Sequence, residues 1–312
     1  MLAVSSGFYI GSLFISYYGL IMALGMALGV FVACLTCKKR GFKSNDILIL
    51  ACYVLPLSII GARLYYVLFS LEKFTSFWQI FEVWKGGMAI YGGVIGGAIG
   101  VGLYCLIHKK NFFSVADIAA PSLILGQAIG RIGCFFAGCC YGIEVTNPSQ
   151  MWFPLSVQIN GVWHYSTFFY ESFWNFLVFA ALMLLLYFGK FIKERGVIVS
   201  GYFILYGIGR AWIEGLRGDS LYIGAIKVSQ LLSILLILLG IAILLAIYIP
   251  KYALKKPLAM FEGLGCSSKP ERCTLNSTET KTQNDSNKIS SSENDQNIVE
   301  PNDDNLDEKH KK

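Results

Sequence analysis

Arginine is rare inside apolar sequence, and this chain places one in the middle of the stretch GQAIGRIGCFFAGCCYG, residues 126–142, where Arg131 stands between Gly130 and Gly133. A second stretch, GYFILYGIGRAWIEGLRGD, carries Arg210, Glu214 and Arg217 one helical turn apart along one face. The remaining ionisable groups within apolar segments are Arg63, Asp117 and Glu171. Each costs at least about 2.5 kcal/mol at a bilayer centre, so each needs a partner or a purpose. Two readings stand side by side: the charges pair and hold helices together, or they line a polar chamber for a charged substrate. Arg63, Arg131, Arg210 and Arg217 outnumber Asp117, Glu171 and Glu214. An excess of buried guanidinium seeks an external anion, and its planar fork of donors suits phosphate.

Glycine is the second chemical feature. IYGGVIGGAIG spaces Gly92, Gly93, Gly96, Gly97 and Gly100 in pairs, and Gly126 and Gly130 repeat the spacing of four. Such small faces let helices approach closely, and they also let backbone approach a lipid headgroup. Both readings stay open. A nucleotide loop is excluded, because no strand, turn and helix surround these glycines.

Histidine occurs only as His108, His164 and His310, none deep in an apolar segment. A membrane-embedded histidine base, a histidine-rich metal centre and a Ser-His-Asp triad therefore lack a candidate within the spans, which leaves His164 in the outer loop as a weak one. Cys34 and Cys37 have the C-x-x-C spacing without a second pair, which does not make a metal site. Cys134, Cys139 and Cys140 can be packing residues, a redox-sensitive rim or nucleophiles. No metal and no cofactor is expected.

The elements that must position these groups are membrane spans. The chain has 312 residues, 55% hydrophobic and 15% charged, against about 25% charged in soluble domains. Apolar runs cover residues 12–36, 47–70, 86–107, 115–137, 166–188, 197–215 and 223–250. Each approaches the roughly 20 residues that cross a bilayer. The expected fold is all-α, a polytopic membrane protein of seven transmembrane helices over residues 1–254. Residues 255–312 are polar and read as a disordered cytoplasmic tail, unable to offset chain entropy by burial. The first residues lack the basic region of a cleaved signal peptide, so the first run serves as its own insertion signal.

Basic residues cluster after spans one, three, five and seven: Lys38, Lys39, Arg40 and Lys43; Lys109 and Lys110; Lys190, Lys193 and Arg195; Lys251, Lys255 and Lys256. The positive-inside rule puts these loops and the tail in the cytoplasm and the N-terminus outside. On the outer side, residues 71–85 carry Phe77, Trp78, Phe81 and Trp84 and suit the membrane interface. Residues 139–165 form a longer loop with Trp152, Trp163 and Tyr165 at headgroup level.

In order along the chain, YYGLIMALG from Tyr17, GARLYYVLF from Gly61, VWKGGMAIYGGVIGG from Val83, SVADIAAPSLILGQAIGRIGCFFAGCCYG from Ser114, STFFYESFWN from Ser166 and LYGIGRAWIEGLRGD from Leu205 resemble the motifs of bacterial prolipoprotein diacylglyceryl transferases. The resemblance covers nearly all of the chain before the tail. It implies a seven-span fold in the bacterial cytoplasmic membrane, with a site opening toward the outer leaflet. It also implies transfer of diacylglyceryl from phosphatidylglycerol to the lipobox cysteine of a prolipoprotein signal peptide, with release of glycerol phosphate. The partners are thus membrane lipid and prolipoprotein, not nucleic acid. By position, Arg131 and Arg210 match the family's phosphate-handling arginines, and with Tyr91 they form the expected catalytic set. Tyr18, Arg63, Gly92, Gly93, Asp117, Gln127, Glu171, Glu214 and Arg217 form the expected substrate-binding set. Glu214 can equally be a salt-bridge partner of Arg210.

The resemblance has two departures. Tyr91 stands where the family often has histidine before the paired glycines, and a phenol near pKa 10 is a poor base at neutral pH. Tyr91 then orients the headgroup, or the thiol proton leaves by another route, such as to the phosphate. GCCYG also occupies a segment that carries asparagine and glutamate in other members. Two competing classes are an anion or lipid transporter and a non-catalytic scaffold that binds anionic lipid. A transporter should show an internal repeat, and none is visible. A scaffold has no use for arginines deep in different spans.

Overall fold

A computed structural model describes residues 7–253 except 12, 75, 83–85, 189–193, 219–221 and 224–225. The expected tail, residues 255–312, lies outside the described residues. So do Trp84, Lys190 and Lys193 of the expected loops.

Among the described residues seven α-helices follow one another: α1 (Tyr17–Thr36), α2 (Ser44–Leu68), α3 (Ile90–Ile107), α4 (Phe112–Ala137), α5 (Thr167–Phe188), α6 (Val197–Glu214) and α7 (Val228–Ala253). Six of them are long and apolar enough to cross a membrane. The seventh, α6, is 18 residues long and has Arg210 and Glu214 near its C-terminal end. It packs against α4, α5 and α7 as part of the same bundle.

The helix α4 is the hub, in contact with α1, α3, α5 and α6. Half of its apolar span is buried against protein, compared with 17% for α7. This explains why α4 can hold Gln127, Arg131 and Asp117 at all: its surface meets other helices rather than lipid, where partners are available. The peripheral helices instead expose leucine and isoleucine, such as Leu20, Leu24 and Leu35 on α1 and Leu231, Leu235 and Leu238 on α7. So much apolar surface belongs against hydrocarbon chains.

The glycine pairs are resolved by α3 against α2. A Cβ at Gly92 would lie 2.2 Å from the Gly61 carbonyl oxygen, and one at Gly96 would lie 2.1 Å from the Leu57 oxygen. These residues are there because nothing larger fits between the two backbones.

Not all of the fold is helical. Two ends differ from the expected boundaries, because apolar residues there form strands. β1 (Gly7–Ile10) and β2 (Leu13–Ser16) make an antiparallel hairpin. The hydroxyl of Ser16 then accepts from the Gly19 N–H at 3.1 Å and starts α1, five residues later than expected. Before α7, β5 (Tyr222–Ile223) and β6 (Ile226–Lys227) pair in the same way. In the long loop, β3 (Ser156–Ile159) and β4 (Val162–Tyr165) form a third hairpin. Its turn residues Asn160 and Gly161 have φ of 51° and 88°, the combination that an Asn-Gly hairpin turn requires. The rest of this loop is tied to it: Gly142 N–H donates to the Tyr165 carbonyl at 2.8 Å and Val145 N–H to that of Trp163 at 2.8 Å. The aromatic stretch before α3 forms short 3-10 turns, Leu71–Lys73 and Phe77–Phe81, with Trp78 and Phe81 exposed.

Candidate active site

Five of the expected residues meet at one end of the bundle. Arg131 comes from α4, Glu171 from the start of α5, Arg210 and Glu214 from the end of α6, and Arg217 follows directly. Glu171 is the centre. Its Oε2 lies 2.6 Å from Arg131 Nε, its Oε1 contacts Arg210 Nη1, and Arg217 Nη1 is 3.7 Å from the same Oε1. Arg210 Nη2 also lies 3.3 Å from Glu214 Oε2. Beyond α6, Lys227 Nζ donates to the carbonyls of Glu214 and Arg217 at 2.9 and 3.1 Å.

Burial is uneven within this cluster. The side chains of Glu171 and Glu214 are 6% and 2% exposed, while those of Arg131 and Arg210 are 20% and 17% exposed. The carboxylates sit behind and the guanidinium groups in front. Among the described residues three guanidiniums face two carboxylates, which gives this group a positive excess. The carboxylates suppress mutual repulsion and fix the arginines in place, which preorganises donors toward whatever anion approaches.

Beside Arg131 lies a group of thiols. Helix α4 ends at Gly138, whose φ of 61° is left-handed, and Cys139 N–H returns to the Cys134 carbonyl at 3.1 Å. This Schellman turn brings Cys139 back over Cys134. Cys140 follows, itself left-handed at φ 60°, and Arg131 Nη1 donates to its Sγ at 3.5 Å. The sulfurs of Cys134, Cys139 and Cys140 all lie within 4.8 Å of one another. Hydrogen bonds from Cys134 and Cys139, and then the Arg131 and Arg217 charges, push the Cys140 thiol well below the usual thiol range. Tyr18 flanks the same end of α4, its ring against Gly133.

The glycines around Arg131 do not open toward it. Gly130 faces Met22 and Gly133 faces Tyr18, both on α1. They let α1 pack on one side of α4 while Arg131 projects toward α5 and α6.

The structure separates the other expected residues from this cluster. Asp117 lies fourteen residues before Arg131 on α4, about 21 Å along the helix. Its Oδ2 pairs with Arg40 Nη2 at 3.2 Å and accepts from Gly196 N–H at 2.8 Å, and its Oδ1 accepts from Val199 N–H at 3.0 Å. It therefore caps α6 from below and touches none of the other candidates. Arg63 is buried, with its donors on backbone carbonyls: Nε on Ile80 at 2.9 Å, Nη2 on Gln79 at 2.7 Å, and Nη1 on Gly86 at 2.5 Å and Gly87 at 2.8 Å. It holds the segment before α3 in place. Gln127 exchanges hydrogen bonds with the Tyr202 hydroxyl on α6. Gly92 packs on Gly61, and Gly93 lies against Ala62 of the same helix. Tyr91, on the first turn of α3, is 45% exposed with its ring 6.3 Å from that of Tyr65.

Arg40 was missed in the sequence, where it reads as one more basic loop residue; it is 5% exposed. The thiol group was seen but not assembled. Its signal is C-x4-C-C across a helix end closed by glycine.

Fold and site together define a polytopic helical membrane protein with a buried cationic centre at one end of its bundle. The chain belongs to the prolipoprotein diacylglyceryl transferase family, whose model matches residues 6–246. It is a bacterial-type multi-pass membrane transferase. A phosphatidylglycerol–prolipoprotein diacylglyceryl transferase of Clostridium botulinum (strain Loch Maree / Type A3) is 44% identical over 239 residues, covering 75% of this chain and 93% of the relative. The phosphatidylglycerol–prolipoprotein diacylglyceryl transferase 1 of Clostridium perfringens (strain 13 / Type A) is 43% identical over 244 residues, with coverages of 77% and 93%. A protein named for the same activity in Oceanobacillus iheyensis is 40% identical over 243 residues, with coverages of 74% and 84%. Family membership sets aside the transporter and scaffold classes.

Proposed function

We propose that this chain transfers the diacylglyceryl group of phosphatidylglycerol to the lipobox cysteine thiol of prolipoproteins, forming a thioether and releasing glycerol phosphate. The observation that carries the reading is the positive excess of the Arg131, Arg210 and Arg217 cluster around Glu171. The thiol gives up its proton to solvent or to the departing phosphate, its sulfur bonds to the glyceryl carbon, the carbon–oxygen bond breaks, and that bond's electron pair leaves on the phosphate. Charge therefore grows on the departing phosphate, where fixed guanidiniums lower the barrier most. Arg131 and Arg210 take this role, with Glu171 and Glu214 as their positioning partners and Arg217 and Tyr18 at the rim. Tyr91 donates a hydrogen bond to the headgroup. Asp117, Arg63, Gln127, Gly92 and Gly93 act instead through the scaffold.

The enzyme sits in the cytoplasmic membrane with its N-terminus outside and its C-terminus inside. The alternation of basic loops supports this orientation. It puts the Arg131 end of α4 at the outer leaflet, where exported prolipoproteins present their cysteine. The test is purified protein with labelled phosphatidylglycerol and a lipobox peptide, read by mass spectrometry. A peptide heavier by one diacylglyceryl group is expected, with glycerol phosphate in equal amount. A peptide that stays unmodified with an active control enzyme alongside would reject the reading.

A further inference from the structure

We propose that Cys134, Cys139 and Cys140 form a three-thiolate site for a thiophilic divalent cation, zinc foremost, whose open fourth position receives the acceptor cysteine; this rests on the transferase reading above.

The geometry carries the proposal. Three sulfurs within 4.8 Å of one another need to close to about 3.8 Å, the edge of a tetrahedron with metal–sulfur bonds of about 2.3 Å. Rotation of the side chains covers that difference. The backbone already does the assembling: the Schellman turn at Gly138 folds Cys139 over Cys134, and Cys140 holds a left-handed φ of 60°, a conformation costly for a residue with a Cβ. The contacts of the thiols with backbone are long, Cys134 Sγ to the Gly130 carbonyl at 3.9 Å and Cys139 Sγ to that of Cys134 at 3.8 Å. A cation would replace these and the thiol–thiol hydrogen bonds, while the Arg131 contact to Cys140 at 3.5 Å can stay.

The number of ligands sets the type of site. Among the described residues the group holds three cysteines and no fourth histidine or carboxylate. Closed four-ligand sites are structural, whereas three ligands leave a position for a reactant. Charge fits as well. A divalent ion with three thiolates carries a single negative charge, and Arg131 Nη1 lies 3.5 Å from Cys140 Sγ as its outer partner.

The reaction has a use for such an ion. An unassisted thiol is only a few per cent ionised at neutral pH, and Tyr91 is a poor base. A coordinated thiol is deprotonated outright. On binding, the acceptor's S–H proton passes to solvent. The metal-held sulfur then attacks the glyceryl carbon, the carbon–oxygen bond breaks, and the electron pair leaves on the phosphate beside Arg131. The thioether is a weaker ligand than the thiolate and departs, restoring the open position.

The test uses full-length reduced protein in detergent, stripped with chelator and titrated with Co2+. The expected result is the absorption of tetrahedral, sulfur-bound cobalt, saturating at one ion per chain and bleached by Zn2+. Cys134→Ser, Cys139→Ser and Cys140→Ser should each lose it, and Cys52→Ser should keep it. A cysteine-containing lipobox peptide should intensify the sulfur-to-cobalt band, while its serine analogue should not. If a serine variant fails to insert, alkylation of the wild type decides: Zn2+ should protect Cys139 and Cys140. Chelation should slow transfer by up to about thirtyfold, the advantage of full ionisation over a few per cent, with Zn2+ restoring it. Absence of the cobalt spectrum, indifference to the three substitutions, indifference to the cysteine peptide, or undiminished transfer by metal-free protein would each overturn the proposal. Undiminished transfer would leave the transferase reading standing. Cobalt binding and peptide response without any diacylglyceryl product would reject the transferase reading and keep the metal site.

Discussion

The two ends of α4 each hold an arginine–carboxylate cluster, and the two differ in balance. At the Asp117 end, one arginine meets one aspartate, and their side chains are 5% and 0% exposed. The aspartate also accepts from the first N–H groups of α6, where a negative charge suits the helix dipole, and Arg40 reaches the Glu194 carbonyl at 3.1 Å. The charges balance one to one and both side chains are buried, although the Arg40 Nε has no acceptor of its own. At the Arg131 end, three arginines share Glu171, Glu214 backs Arg210, and the guanidiniums stay partly exposed. In sequence both ends look alike, as rare charges in apolar helices. Closure and charge balance mark the first as architecture. Openness and charge excess are what support the proposed reading of the second as the place for an incoming anion.

The largest effect expected is at the closed end. Asp117→Ala should leave Arg40 buried without its partner and lower stability by about 3–5 kcal/mol. Thermal unfolding in detergent should show it, together with reduced membrane yield, while the protein that does fold keeps its KM for phosphatidylglycerol. A raised KM with unchanged stability would move Asp117 into the site and erase the contrast.

At the open end the order should reverse. Arg131→Ala and Arg210→Ala should each raise the barrier to transfer by roughly 3–4 kcal/mol while inserting normally. Lysine should rescue either poorly, because it lacks the fork. Turnover in reconstituted vesicles checks this, and near-normal rates in an alanine variant would remove that arginine from the chemistry.

Tyr91 belongs to neither cluster, and a smaller effect is expected there. Tyr91→Phe should cost about 0.5–1.5 kcal/mol, one neutral hydrogen bond, and Tyr91→His should retain activity. A Tyr91→Phe enzyme as inactive as the arginine variants, with the basic limb of its pH profile gone, would make the phenol the base. The smallest effect should come from deleting residues 266–312. Their composition cannot build a packed core, so transfer should stay within a few-fold, and complete loss at normal membrane levels would give the tail a role.

Helices were legible in the sequence because apolar length alone specifies them. Where the reading slipped, apolar residues were doing something else. Leu13 and Ile15 pair with Ile10 and Phe8 in a hairpin rather than extending α1, and Ser16 marks the true start. The β3–β4 hairpin had a readable signal, Asn160 and Gly161 between alternating residues, overshadowed by the aromatic residues around it. For the site, residue type and depth were legible; partnership was not. Arg63 and Arg131 are equally conspicuous as single arginines, yet one is spent on backbone carbonyls and the other on Glu171. Only tertiary packing distinguishes them, because a guanidinium takes whichever acceptors the neighbouring chain brings within reach.

Because α4 carries both clusters on one uninterrupted helix, its middle has a fixed phase. One residue inserted between Asp117 and Arg131 would rotate one cluster against the other by about 100°. Either Asp117 would lose the start of α6, or Arg131 would lose Glu171. Length changes in this protein must therefore fall outside α4, at places such as the Asn160–Gly161 turn, and drift within the helix must proceed by substitution alone.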